Sequence, residues 1–135
     1  NYILICNLNE LNAQNGKYFI DYKMQPGIAF MGDDGLPLLI SAKCTHLGCT
    51  VGNKVDANGK ILCPCHVSFF DIKTGQPDPG APAKSPLAHL GWVILDERGS
   101  VLAQRDNSGK TTGAITSQTQ TTARVYIAKD RENKA

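Results

Sequence analysis

The chain has 135 residues, 41% of them hydrophobic and 19% charged, which is the composition of one folded domain with a core of its own. Fourteen Lys and Arg against twelve Asp and Glu leave a formal charge of +2, and the basic residues are scattered without interleaved aromatics. That balance argues against nucleic acid and against an anionic membrane surface as partners. No apolar run approaches the roughly 20 residues that span a bilayer. There is no signal-peptide pattern, although a chain that starts at Asn1 leaves room for a preceding anchor.

Thirteen glycines and seven prolines favour strands and turns over helices. Tyr2–Leu8 alternates, which predicts a strand with Leu4, Cys6 and Leu8 on one face and makes Cys6 a buried thiol. Asn7–Leu11 is the one plausible helix start and holds barely one or two turns. Lys17–Lys23, Gly27–Gly32 and Leu36–Lys43 read as strands, the last two joined by a Gly32-Asp33-Asp34-Gly35 hairpin turn. Lys60–Cys63 and Phe69–Ile72 are short strands. Trp92–Asp96 and Ser100–Gln104 form a hairpin around Glu97-Arg98-Gly99. Asp106–Thr122, polar and threonine-rich, is expected to be a long loop, and Ala123–Ala128 a final strand. Trp92 and Tyr126 are expected in the core, and His89 at the surface or core edge. The pattern is an all-β, antiparallel sandwich or barrel. Its base, about 1–43 and 87–135, carries an inserted subdomain at about 44–86.

That insertion holds two cysteine–histidine boxes, Cys44-Thr45-His46-Leu47-Gly48-Cys49 and Cys63-Pro64-Cys65-His66. A disulfide scaffold is the bland alternative, but such scaffolds serve chains too small to build a core. Structural zinc is the serious one, since Cys44, His46, Cys63 and His66 would complete a two-Cys, two-His tetrahedron. Against it, the Cys-x-His spacing is tighter than in common zinc fingers, and zinc leaves Cys49 and Cys65 without a role.

The two boxes, C-T-H-L-G-C and C-P-C-H, resemble those of the Rieske iron–sulfur family, with weaker similarity from about Gly27 through Ala103. The resemblance implies one [2Fe–2S] cluster per chain, with Cys44 and Cys63 on one iron and His46 and His66 on the other. Neutral imidazoles donate less charge than thiolates. The histidine-bound iron therefore accepts an electron more readily, and potentials run from about −150 to +300 mV, against about −400 mV for plant-type ferredoxins. The resemblance also implies a Cys49–Cys65 disulfide across the two box loops, worth about 3 kcal/mol as a loop closure. That pair is a feature of the quinol-oxidising complexes, is shared by small Rieske subunits of molybdenum oxidoreductases such as arsenite oxidase, and is usually lacking in oxygenase ferredoxins.

In high-potential relatives a serine and a tyrosine after the second box donate hydrogen bonds to cluster and ligand sulfur. Ser68 matches the first, whereas Phe70 stands at the tyrosine place with no hydroxyl, which predicts an intermediate potential. Val67 stands where glycine is usual. Pro79–Pro86, with Gly80 and Pro82, resembles the family's proline-rich loop covering the cluster, and Leu47 is expected as an apolar lip for docking.

The function so implied is an electron-transfer subunit of a quinol:cytochrome c-type oxidoreductase, with no turnover by the isolated domain. His66 would accept the hydrogen bond and the proton of a quinol, menaquinol suiting the potential best. Expected partners are a cytochrome b-type subunit and a c-type cytochrome or similar acceptor. The domain would face the periplasmic or equivalent positive side of an energy-transducing membrane, held by an anchor preceding this sequence. A small Rieske subunit of a molybdenum oxidoreductase such as arsenite oxidase, or a stand-alone ferredoxin, is the alternative.

Overall fold

The computed structural model describes residues 2–128. The elements in chain order are β1 (Tyr2–Asn7), a 3-10 turn (Leu8–Glu10), β2 (Lys17–Ile20), β3 (Pro26–Met31), β4 (Pro37–Ser41), β5 (Lys60–Cys63), β6 (Ser68–Asp71), β7 (His89–Leu90), β8 (Trp92–Leu95), β9 (Val101–Arg105), β10 (Thr111–Gly113) and β11 (Arg124–Ala128). All named pairings are antiparallel. They build a five-stranded sheet ordered β1-β11-β8-β9-β10, a four-stranded sheet ordered β2-β3-β4-β7, and the β5-β6 hairpin. No described helix is long and apolar enough to cross a membrane.

β3 and β4 carry apolar residues at successive positions because both faces of their sheet are buried. Ala29 and Leu39 point into a core shared with Trp92, Ile94, Ala103 and Val125 of the five-stranded sheet. Ile28, Phe30, Ile40 and Ala42 point the other way, into a second core with Cys44, Val51, Ile61, Cys63, Phe70, Ala83 and Leu87. The same strand pair therefore closes the base and floors the segment that carries the two boxes.

Several details depart from the sequence reading. A bulge between Leu4 and Cys6 breaks the alternation of β1: Cys6 and Leu8 are buried, but Leu4 is 54% exposed. An extra residue in one strand turns the following side chains to the opposite face. Asp106–Thr122 is not loop throughout, because Thr111–Gly113 pairs with the end of β9 as β10. Polar threonines suit such an exposed edge strand. Tyr126 is half-buried on the face opposite Trp92, packed against Val93 and Leu95 rather than in the main core. β7 is only two residues long, too short for a periodic signal, and pairs with Leu39 and Ile40 of β4.

Burial at Cys6 removes the thiolate's solvation and pushes its pKa up to about 11, so the thiol stays protonated and inert at neutral pH.

Gly16 lets the chain pass directly over the second core. A Cβ there would lie 2.2 Å from Ile28 Cγ2 and 2.7 Å from Phe30 Cε1. Both are fully buried and have no room to retreat. Gly16→Ala is expected to destabilise the fold by about 1–3 kcal/mol through overpacking, read as a lowered urea midpoint; an unchanged midpoint would show that this core yields.

Candidate metal centre

The two boxes fold into the same local device. In the first, Lys43 and Thr50 bridge antiparallel, the Cys44 N–H donates to Cys49 O at 2.8 Å, and the Gly48 N–H donates to Cys44 O at 2.9 Å. In the second, Cys63 ends β5 opposite Ser68, which begins β6, so residues 64–67 form a four-residue hairpin turn. Each turn closes through a residue of positive φ one place before its end: Gly48 at 81° and Val67 at 57°. Glycine meets no penalty there, whereas a β-branched side chain does. That geometry explains why Val67 is an unusual residue after the box histidine.

The turns sort their donor side chains by depth. Cys44 and Cys63 are 3% and 2% exposed, and their thiols hydrogen-bond each other. His46 and His66 are exposed, with their rings edge-to-face at a centroid separation of 4.9 Å. Burial pushes the Cys63 thiol up, and the bond with Cys44 pushes it the same way. The main-chain N–H groups of Cys65 and His66, hydrogen-bonded to Cys63, act in the opposite direction. Those amides are what a metal-bound thiolate needs around it. Cys49 and Cys65 are joined in a disulfide that ties one turn to the other across a sequence separation of 16.

A third segment is laced to both turns. Thr45 Oγ1 donates to Ser85 O at 2.7 Å, the Ala83 N–H donates to Ser68 Oγ at 3.2 Å, and the Asp78 N–H donates to Phe69 O at 2.9 Å. The Lys60 ammonium pairs with Asp78 at the start of this segment, and that bond raises the lysine's pKa. Gly80 sits exposed at the turn with φ 83°, Pro82 is half-buried, and Ala83 is buried in the second core. Ser68 is 1% exposed, and its hydroxyl, having accepted from Ala83, still has its own proton to donate. Phe70 is fully buried beneath the two thiols' core and brings no donor. Leu47 stands 65% exposed beside His46.

The four box donors stand as two pairs, thiol with thiol and imidazole with imidazole. Among the described residues, no three His, Cys, Asp or Glu side chains converge to hold a single ion. A structural zinc needs four donors around one point. Two thiols in one pair and two imidazoles in another fit a two-iron cluster with mixed ligation. Residues 1–91 match the sequence model of the Rieske [2Fe-2S] domain. The chain belongs to the Rieske [2Fe–2S] family. It accordingly binds a [2Fe–2S] cluster and serves in electron transfer.

Among its relatives, this Rieske protein is 42% identical over 59 residues to the menaquinol:cytochrome c reductase iron-sulfur subunit of Bacillus subtilis, a match covering 42% of this chain and 35% of that one. It is 38% identical over 69 residues to a Haloferax mediterranei protein named as a Rieske subunit of respiratory nitrate reductase, covering 51% and 30% respectively. The chain thus spans about a third of the length of these relatives. The plasma membrane Rieske protein PetC3 of Synechocystis PCC 6803 superposes with a TM-score of 0.55 at 26% identity, covering 73% of this chain and 95% of that one. The first two of these relatives are named as subunits of oxidoreductases.

The sequence reading missed the contacts that hold the Rieske boxes on the base. Tyr18 on β2 donates its hydroxyl to Val51 O at 2.7 Å, and His89 Nε2 lies 2.9 Å from Ile72 O. Both bonds span residues distant in sequence and carry no local signal. Val67 yields a direct test of the turn geometry. Replacing it with glycine relieves about 1–3 kcal/mol of left-handed strain, offset by roughly 0.5–1 kcal/mol of extra chain entropy in the unfolded state. Val67→Gly is therefore expected to raise the urea midpoint, by on the order of 1 kcal/mol; a lowered midpoint would mean the side chain stabilises the turn it strains.

Proposed function

We propose that this protein is the electron-carrying subunit of a quinol-oxidising complex, drawing on a quinol of the menaquinol type and delivering to a c-type cytochrome or similar acceptor. The observation that carries this reading is the Cys49–Cys65 disulfide standing beside two exposed histidines. Disulfides persist outside the reducing cytosol, which supports an extracytoplasmic face for the domain. The similarity to the menaquinol:cytochrome c reductase subunit supports the same choice.

In this reading Cys44 and Cys63 ligate one iron and His46 and His66 the other, and residues 44–86 form the cluster-carrying part of a single Rieske domain. The cluster, when bound, supplies one-electron transfer. The chain supplies the proton chemistry. Each histidine spends one ring nitrogen on metal and keeps the other for solvent or substrate. The free nitrogen of His66 accepts the hydrogen bond of a quinol hydroxyl and then holds its proton. Leu47 forms an apolar lip on the approach, while Gly80 and Pro82 shape a stiff cover.

A proton on that nitrogen is held more tightly when the neighbouring centre is reduced, so low pH favours the reduced state. The reduction potential is therefore expected to fall as pH rises, by up to about 59 mV per pH unit for one proton per electron. Redox titration across neutral to alkaline pH measures this slope, and a level potential would remove His66 as proton acceptor.

Ser68 keeps a hydroxyl proton to donate toward the cluster, and Phe70 has none, so one of two stabilising bonds to the reduced state is missing. Phe70→Tyr is expected to raise the potential by tens of millivolts, since 59 mV corresponds to a tenfold shift in a one-electron equilibrium. An unchanged or lower value would mean that the potential is set elsewhere.

A second reading has a specific observation behind it: the similarity to the nitrate reductase subunit favours a Rieske domain that relays electrons within a different oxidoreductase. Oxidation of a menaquinol analogue by the native complex separates the two.

A further inference from the structure

Charge is distributed unevenly over this chain. Segments 43–55, 61–70 and 79–86, which make up the two boxes, their flanks and the covering loop, contain no Asp or Glu. They contain Lys43, Lys54 and Lys84, all exposed. None of the three has a carboxylate partner among the described residues. Elsewhere four cations are paired, Lys17 with Glu10, Lys60 with Asp78, Lys73 with Asp33 and Arg105 with Asp34, while Arg98, Lys110 and Arg124 make no salt bridge among the described residues.

Two of the free lysines sit at the histidine tip. Lys43 immediately precedes Cys44, and its Cε lies 3.4 Å from where a Cβ on Gly48 would stand, so its stem runs along the first turn. Lys84 lies between Ala83, bonded to Ser68 of the second hairpin, and Ser85, bonded to Thr45 of the first turn. Its ammonium caps Ala81 O at 2.7 Å. The same two turns carry the exposed imidazoles of His46 and His66, with Leu47 at 65% and Val67 at 60% exposure next to them in sequence. Val67 holds its position against backbone strain, and strain of this kind clusters at functional surfaces.

We propose that the histidine tip is a protein-docking surface with an apolar centre, Leu47 and Val67, and a cationic margin, Lys43 and Lys84, fitted to an electron acceptor whose docking face is acidic at its rim. An apolar middle inside a charged margin is the anatomy of a transient protein interface. Unpaired cations on one face steer an oppositely charged partner and suppress a like-charged one. The proposal rests on the electron-transfer reading above and adds the charge of the acceptor.

The test measures binding by isothermal titration of the cluster-loaded chain with an acidic and a basic c-type cytochrome, at low and at high ionic strength. The acidic cytochrome is expected to bind more tightly, and to lose its advantage as salt shortens the screening length to a few ångströms. Lys43→Gln with Lys84→Gln is expected to weaken that binding about tenfold at low salt and to flatten its salt dependence. Val67→Gly is expected to weaken binding without changing the salt slope, and Arg98→Gln on the distant β8–β9 turn to change neither. Equal or tighter binding of the basic cytochrome, or an unaltered double variant, would overturn the proposal. Salt-sensitive binding of the acidic cytochrome with no reduction of its haem would uphold the surface and overturn the cytochrome as acceptor.

Discussion

Burial of β3 and β4 on both faces is the constraint on which the rest of this structure depends. Two adjacent strands give alternate side chains to two different cores, Ala29 and Leu39 to one and Ile28, Phe30, Ile40 and Ala42 to the other. The second core reaches Cys44 and Cys63, so the floor of the metal centre is a continuation of the base. A thiol positioned by close-packed neighbours moves little, and metal ligands need placement within fractions of an ångström.

On that floor the site is assembled by repetition. Two tight turns, each begun by a buried cysteine and each closed through a left-handed residue, present one histidine apiece. The disulfide, the Thr45–Ser85 bond and the Ser68–Ala83 bond cross-link the two turns and the covering loop. Main-chain hydrogen bonds thus shape each turn, and side-chain bonds set the turns against one another. The division matters because a turn is encoded by a few adjacent residues, while the cross-links depend on the whole fold.

The same division explains what could be read from the sequence. The boxes, the strand pairs around them and the antiparallel β class were legible because their signals are local: spacing, alternation and glycine-marked turns. Cys6 was placed correctly and Leu4 was not, since a bulge leaves no mark in an alternating run. β10 hid in a threonine-rich stretch and β7 in two residues, because edge strands are specified by the neighbour they pair with. Val67 stood out as an oddity in the sequence and acquired a physical meaning only with its φ of 57°. The Tyr18 and His89 contacts, which fasten the boxes to the base, were out of reach of any local pattern.

Sorting the four donor side chains by depth has one more consequence. The thiols are packed into one core with Phe70, Ile61 and the side chains of the β3–β4 floor, while the imidazoles are exposed and meet edge-to-face. Small molecules in solution therefore reach the four donors from the imidazole side, whereas the thiol side is closed by packed aliphatic and aromatic side chains.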